Sequence, residues 1–355
     1  MTIINPITSK IPSRIGAKII NKLLRLLDKP INKLLTNHYT KKYQPSSSAL
    51  SVSLWSEKKI YLPRRRRVHR ENTDTMKREI IYTPLSSLRH PKKLLREMWQ
   101  DLLASRELAW RLMVRDINSQ YRQSLLGITW AFLPPIVMAA GFTLANQANV
   151  IQVGKTDIPY PAYVTFSTAL WQTFVEALNA PLQAVTQARP ILAKVNFPRE
   201  ALIIAKLGET LFNFAIKILL IIALFIWFQI PVTWTIILAP VAIIHLILLG
   251  TLIGILLAPL GLLYQDISRG LTLITGFWLF LTPVIYPVPK TGIFAALVNF
   301  NPVTPLLVTA RELATTGNLS QSTAFWIVSI ITFIGLILTW IAFRLAMPFV
   351  VERVG

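Results

Sequence analysis

Residues Thr210–Phe228 read TLFNFAIKILLIIALFIWF, a run in which Lys217 is the one charged residue. A helix needs about 20 mainly apolar residues to cross the hydrocarbon core of a bilayer, and this run meets that demand. Reading outward from it, similar apolar tracts fall at 127–146, 160–181, 203–228 (which contains the quoted run), 232–263, 271–287 and 324–347. The 232–263 tract is long for one span, so a tilt or a bend near Pro240 or Pro259 is expected. The predicted fold is an all-α integral membrane protein with six transmembrane helices. An N-terminal amphipathic helix at the membrane interface and short re-entrant helices between the fifth and sixth spans complete it.

Composition supports a membrane protein. Charged residues make up 15% of the 355-residue chain, against about 25% in soluble domains. Mean hydropathy is +0.50. There is no cysteine, which excludes disulfides, thiolate metal sites and cysteine nucleophiles. The net charge of +21 is concentrated at one end. Residues 1–100 hold about 22 Lys and Arg against about 6 Asp and Glu, while the remainder is close to balanced.

Residues 1–75 read as a basic extension. KIINKLLRLLDKPINKLL has the spacing of a basic amphipathic helix suited to anionic lipid, and PRRRRVHR is a solvated basic run. No aromatic platform accompanies the arginines, so nucleic-acid binding is not expected. Met76 opens a segment that would itself serve as a start. Residues 76–126 then carry Leu94, Leu95, Met98 and Leu102, and after them Leu108, Leu112 and Ile117, at helical spacing with basic residues between. That pattern predicts one or two amphipathic helices lying on the membrane surface. The transmembrane domain occupies 127–355.

Lys and Arg concentrate in alternate loops: Arg189, Lys194 and Arg199 after the second span, Arg269 after the fourth, Arg344 and Arg353 at the end. The positive-inside rule places these loops and both termini in the cytoplasm. Residues 288–320 are apolar but broken by Pro302 and Pro305, and two short helices, about 291–299 and 304–315, are expected there. Irregular backbone at membrane depth requires protein or a water-filled cavity to receive it, which suggests a gated path.

No catalytic constellation emerges. Val153–Thr156 reads VGKT, but Asn149 stands where a phosphate-binding loop needs its first glycine. The four histidines have no metal spacing, and the acidic residues after position 100 are dispersed. Neither catalytic nor metal-ligating residues are assigned. Glu176, Lys206, Glu209 and Lys217 fall within predicted spans, where charge is costly and informative. Lys206 and Glu209, three apart, can pair on one helix face. The set is either an ion-pair staple between helices or a polar lining for a hydroxyl-rich or anionic substrate. The aromatics Tyr163, Phe166, Trp171, Trp278 and Tyr286 are either interfacial anchors or rings along a substrate path.

Five segments occur in a telling order: RDINSQYRQSLLGITWAFLPP (Arg115–Pro135), KVNFPRE (Lys194–Glu200), LLYQDISRGL (Leu262–Leu271), LTPVIYPV (Leu281–Val288) and FNPVTPLLVTARE (Phe300–Glu312). Together they resemble the membrane subunits of ABC transporters that export polysaccharides and polyol phosphates. The likeness covers about residues 78–355, with Gln265 in place of a usual arginine and Pro134 in place of a usual glutamine.

The resemblance implies a homodimeric permease joined to two copies of a soluble ABC ATPase, which would bind ATP and magnesium; no cofactor is expected in this chain. It implies that Arg115, Asp116, Tyr121 and Arg122 belong to the interface helix. Arg189, Lys194, Phe197, Pro198, Arg199 and Glu200, in the loop 187–200, would be grasped by the ATPase. The segment 291–315 would form gate helices at the outer face. The cargo would be a lipid-linked glycan, such as O-antigen, capsule or a teichoic-acid-like polymer, moved out across a bacterial inner or plasma membrane. Two other readings compete: a membrane-embedded glycosyl or phosphoglycosyl transferase, and a non-transporting anchor acting through the basic tail.

Overall fold

A computed structural model describes residues 91–122, 127–192 and 197–354. The extension predicted for 1–75 lies outside the described residues. Among those described, nine α-helices and two short 3₁₀ turns account for the regular structure, with no strand.

The amphipathic segment forms one continuous helix, α1 (Pro91–Arg122). Leu94, Met98, Ser105 and Ala109 are buried on one face at spacings of four and seven, while Trp99, Leu103 and Trp110 stay exposed. The first predicted span is interrupted. Gly127–Ala131 is a 3₁₀ turn opened by Gly127 at φ +51°, and α2 (Leu133–Gln147) begins only afterwards. Pro134 and Pro135 therefore sit in the first turn of α2, where a missing backbone N–H costs nothing.

The second predicted span, α3 (Tyr160–Leu192), runs eleven residues past its predicted end. It carries Pro181 and Pro190 internally and is buried along most of its length. α4 (Glu200–Trp227) contains the quoted apolar run. A 3₁₀ turn, Trp234–Leu238, precedes α5 (Ala239–Leu263), so the long tract breaks just before Pro240 and Pro259 lies inside a helix. α6 (Asp266–Leu281) starts earlier and ends sooner than expected, because Thr282 is extended ahead of Pro283. α7 (Ile293–Phe300) and α8 (Val303–Ala314) are the two short helices, bent by 83° at Asn301 and Pro302. α9 (Ser322–Val354) closes the chain.

Helices α3 and α5 form the centre. α5 is apolar on every face, as befits a helix enclosed by neighbours. Its Gly250 and Gly254 let the two backbones touch. A Cβ at Gly254 would lie 2.3 Å from the Leu178 carbonyl oxygen and 2.8 Å from Pro181 Cδ. Small residues are the usual means of such close approach inside a bilayer, where packing replaces the hydrophobic drive. α4 packs beside α3, and α1 packs on α4.

Three segments, Glu200–Trp227, Trp234–Leu263 and Ser322–Arg353, are each long and apolar enough to cross a membrane unaided. The bent pair α7–α8 adds a broken span or a re-entrant loop.

Candidate functional site

The chain reverses between α3 and α4. Arg189 belongs to the last turn of α3 rather than to a loop, since the helix carries on through Pro190 to Leu192. The predicted loop 187–200 is thus shorter than expected, and Lys194 lies outside the described residues. Phe197 is half-buried against the cluster that includes Ala188, Phe343 and Met347. The Pro198 and Arg199 carbonyls accept the Ala201 and Leu202 N–H groups at 3.2 Å each, starting α4 without a side-chain cap.

Glu200, the first residue of α4, is buried and faces α9. Its Oε1 lies 3.4 Å from Arg344 Nη1, and Arg344 Nη2 lies 2.6 Å from Asp101 Oδ2 on α1. One guanidinium therefore bridges carboxylates from two other helices. Around it a cleft of about 290 Å³ is lined by Asp101, Phe197, Pro198, Arg199, Glu200 and Phe343, among others. Sequence reading missed Arg344 and Asp101 as partners. The available signal was that Arg344 is the one charge inside an otherwise apolar final tract.

A second polar line runs along α4. Lys206 Nζ is 2.7 Å from Glu209 and 3.2 Å from Asp116 on α1, and Asp116 also receives Arg115 at 2.8 Å. The Tyr121 hydroxyl donates to Asn213 Oδ1 at 2.8 Å. Burial, and then the charges of Glu176 and Glu209, push the Tyr121 phenol above its ordinary range, so it remains a neutral donor. Two turns past Glu209 on α4, Lys217 Nζ meets Glu176 Oε1 on α3 at 2.5 Å, while Glu176 Oε2 is buried with no partner among the described residues. Arg122 is exposed at the end of α1. The four charges predicted within spans are thus brought together in pairs, and two residues of α1, Asp116 and Tyr121, dock onto the same line.

The five aromatics do not share one surface. Tyr163, Phe166 and Trp171 are buried in the core of this chain, each at most 3% exposed. Trp278 sits edge-on to Trp171 and Phe174 and donates its indole N–H to Asn301 Oδ1 at 3.0 Å. Tyr286 donates to the Phe280 carbonyl at 2.8 Å. The Tyr163 hydroxyl donates to the Tyr286 carbonyl at 2.8 Å, and the buried Arg311 guanidinium lies 4.1 Å above the Tyr163 ring. Arg311 also donates to Ser167 Oγ and to the Pro283 carbonyl, tying α8 to α3 and to the link after α6. Among the described residues, no three His, Asp or Glu side chains converge as metal ligands would.

Long apolar helices, charges committed to ion pairs within the bundle and a bent helix pair are the features of an integral membrane protein. Residues 107–314 match the ABC-2 type transporter family, and the chain belongs to it. It is similar to the O-antigen export system permease protein RfbA of Myxococcus xanthus, at 24% identity over 62% of this chain and 84% of that protein. It is also similar to proteins of the same name from Klebsiella pneumoniae, for instance at 23% identity over 63% of this chain and 85% of the relative.

Proposed function

We propose that this chain is the permease subunit of an ATP-driven exporter that moves a lipid-linked polysaccharide out across a bacterial inner or plasma membrane. The family match and the relatives named as O-antigen export permeases support this reading. Hydrolysis belongs to a separate ABC ATPase, two copies of which serve a homodimer of this chain and bind the ATP and magnesium. α2, α3, α4, α5 with its 3₁₀ turn, α6 and α9 make six crossings, both termini are cytoplasmic, and α1 lies at the inner interface. α7 and α8 dip from the outer side.

The observation that carries the coupling assignment is the turn Phe197–Arg199. It stands between two long helices, and its aromatic ring is only half-buried within the chain. An aromatic beside an arginine, part-exposed at a turn, has the make-up of a binding hot spot. The ATPase grips this turn, and the preceding Arg189 and Lys194 add positive charge around it.

Two copies form the conduit along their seam. α6 supplies its outward face, where Phe277 and Phe280 are exposed, with Trp278 and Tyr286 behind. The core positions of Tyr163, Phe166 and Trp171 suit support of that wall better than contact with polymer.

Co-purification tests this reading. The unsubstituted chain should bring an ABC ATPase with it from its native membrane, and Phe197→Ala with Arg199→Ala should weaken that association about 30-fold or more. Undiminished association in the double variant would remove the coupling assignment. The transferase reading has no observation in its favour, because the acids on α1, α3 and α4 named above are bound to cations of their own chain.

A further inference from the structure

We propose that α9 is the element that carries the ATPase stroke from the Phe197–Glu200 turn to the bent gate pair α7–α8, clamped by Arg344 at one end and by Glu312 at the other. The proposal rests on the exporter reading above and adds a route through the membrane that this reading does not contain.

The two ends of α9 are fixed in different ways from its middle. At the inner end, Arg344 joins Glu200 at 3.4 Å and Asp101 at 2.6 Å, so any displacement of the start of α4 is felt by α9 and α1 together. Arg344 and Glu200 are sheltered, with side-chain exposures of 17% and 10%, while Asp101 is partly open at 37%. The planar fork of an arginine can hold two carboxylates at once, which the point charge of a lysine does less well. Phe343 and Met347 beside it are buried in the same cluster that receives Phe197.

At the outer end, both carboxylate oxygens of Glu312 are spent on one residue of the link into α9. Oε2 accepts the Ser320 N–H at 2.8 Å, and Oε1 accepts the Ser320 hydroxyl at 2.5 Å. The Glu312 carbonyl accepts the Gly317 N–H at 2.8 Å, so the short link is held to the end of α8 by backbone and side chain alike. Glu312 follows Arg311, which fastens α8 to α3. The end of α8 is therefore joined to the link that opens α9, so a displacement of α9 bears directly on the bent pair.

Between the clamps, Ser322 to Arg344 extends about 33 Å at helical rise, close to the ~30 Å hydrocarbon thickness. This stretch has no internal proline, and Pro348 falls beyond Arg344. Much of it faces outward, with Trp326, Ile330, Phe333, Ile334 and Leu338 exposed. Its inner face packs along α5, with Phe325, Ser329 and Thr332 buried and Gly335 tight against Leu252, so α9 shifts or tilts along that face only as a body. Two sites biasing one such element is the physical requirement for long-range coupling.

The test uses the whole exporter with its ATPase, reading ATPase co-purification, ATP hydrolysis and surface display of the strain's own lipid-linked glycan. Arg344→Ala should keep the ATPase bound and hydrolysing, yet lower glycan exported per ATP by about tenfold, in the range of ordinary allosteric coupling. Arg344→Lys should fall between. Glu312→Gln should give the same loss from the other end. Because the clamps act in series, the double variant should be no worse than the more severe single one. Asp101→Asn, which leaves the Arg344–Glu200 contact, should show a smaller loss of the same kind and guards against a folding failure of Arg344→Ala.

An unchanged export-to-hydrolysis ratio in the single variants would overturn the proposal. So would a double variant whose loss is the product of the two, or loss of both Arg344→Ala and Asp101→Asn from the membrane. An unsubstituted chain that purifies without any ATPase would instead sink the exporter reading itself.

Discussion

Lys217 Nζ lies 2.5 Å from Glu176 Oε1, and the contact joins α4 to α3 at a point where the lysine side chain is 2% exposed. Removing one partner leaves a sheltered charge without its counter-ion. Lys217→Met should therefore lower stability by about 3–5 kcal/mol. Adding Glu176→Gln should recover most of the loss, since an apolar or neutral replacement of both members is often tolerated. Thermal unfolding in detergent reads both. Equal stability of Lys217→Met and the parent would show that the pair contributes nothing.

Gly254 and Gly276 make a matched contrast. A Cβ at Gly254 would meet backbone at 2.3 Å, whereas a Cβ at Gly276 would meet nothing within 4 Å. Gly254→Ala should cost about 1–3 kcal/mol through overpacking. In an isolated subunit, Gly276→Ala should be neutral or gain up to ~1 kcal/mol from helix propensity. Detergent melting temperatures of the two variants, measured side by side, decide the point.

Tyr163 combines a hydroxyl held by the Tyr286 carbonyl with a ring beneath Arg311. Tyr163→Phe keeps the ring and should cost about 1 kcal/mol. Tyr163→Leu forfeits the cation–π contact as well and should cost roughly 2 kcal/mol more, the value for a desolvated pair. If the two substitutions prove equal in unfolding experiments, the guanidinium gains nothing from the ring.

Docking of α1 depends on the Tyr121–Asn213 hydrogen bond and on Asp116 with Lys206. Tyr121→Phe should raise amide hydrogen exchange near the end of α1 about fivefold, the loss of one hydrogen bond. The raised phenol pKa sets the sign of the pH effect: the docked form holds its proton more tightly than the undocked form. That contribution is whole below the ordinary value of 10.0 and disappears as pH climbs past the raised one. Exchange in the unsubstituted chain should therefore show no Tyr121-dependent rise until pH exceeds the ordinary phenol range.

Local pattern made much of this architecture readable. The apolar run of α4, the final tract of α9 and the two short helices around Asn301 follow from hydropathy and proline placement. The Lys206–Glu209 pair follows from a three-residue spacing. Helix ends were harder. The second tract reads as ending at 181, yet α3 runs on through Pro190 to Leu192, and Pro134 reads as inside the first span, yet it lies in the opening turn of α2. The partners of Arg344 could not be read at all, because Glu200 stands 144 residues away and only the folded bundle brings it near. The placement of the aromatics was illegible for a related reason: composition marks a ring as present, while tertiary packing decides what it faces.

The carbonyl-against-glycine seam of α3 and α5 also marks where this molecule cannot bend. With Leu178 oxygen seated over Gly254, a slide of less than a full helical turn drives atoms into one another, so the two helices form an undeforming keel. α2 and α6 carry no comparable lock, and Gly141 and Gly276 on them look onto open space. Movement is left to the helices around the keel, and a sequence drifting to accept a new polymer has room to change on these flanks while the keel stays as it is.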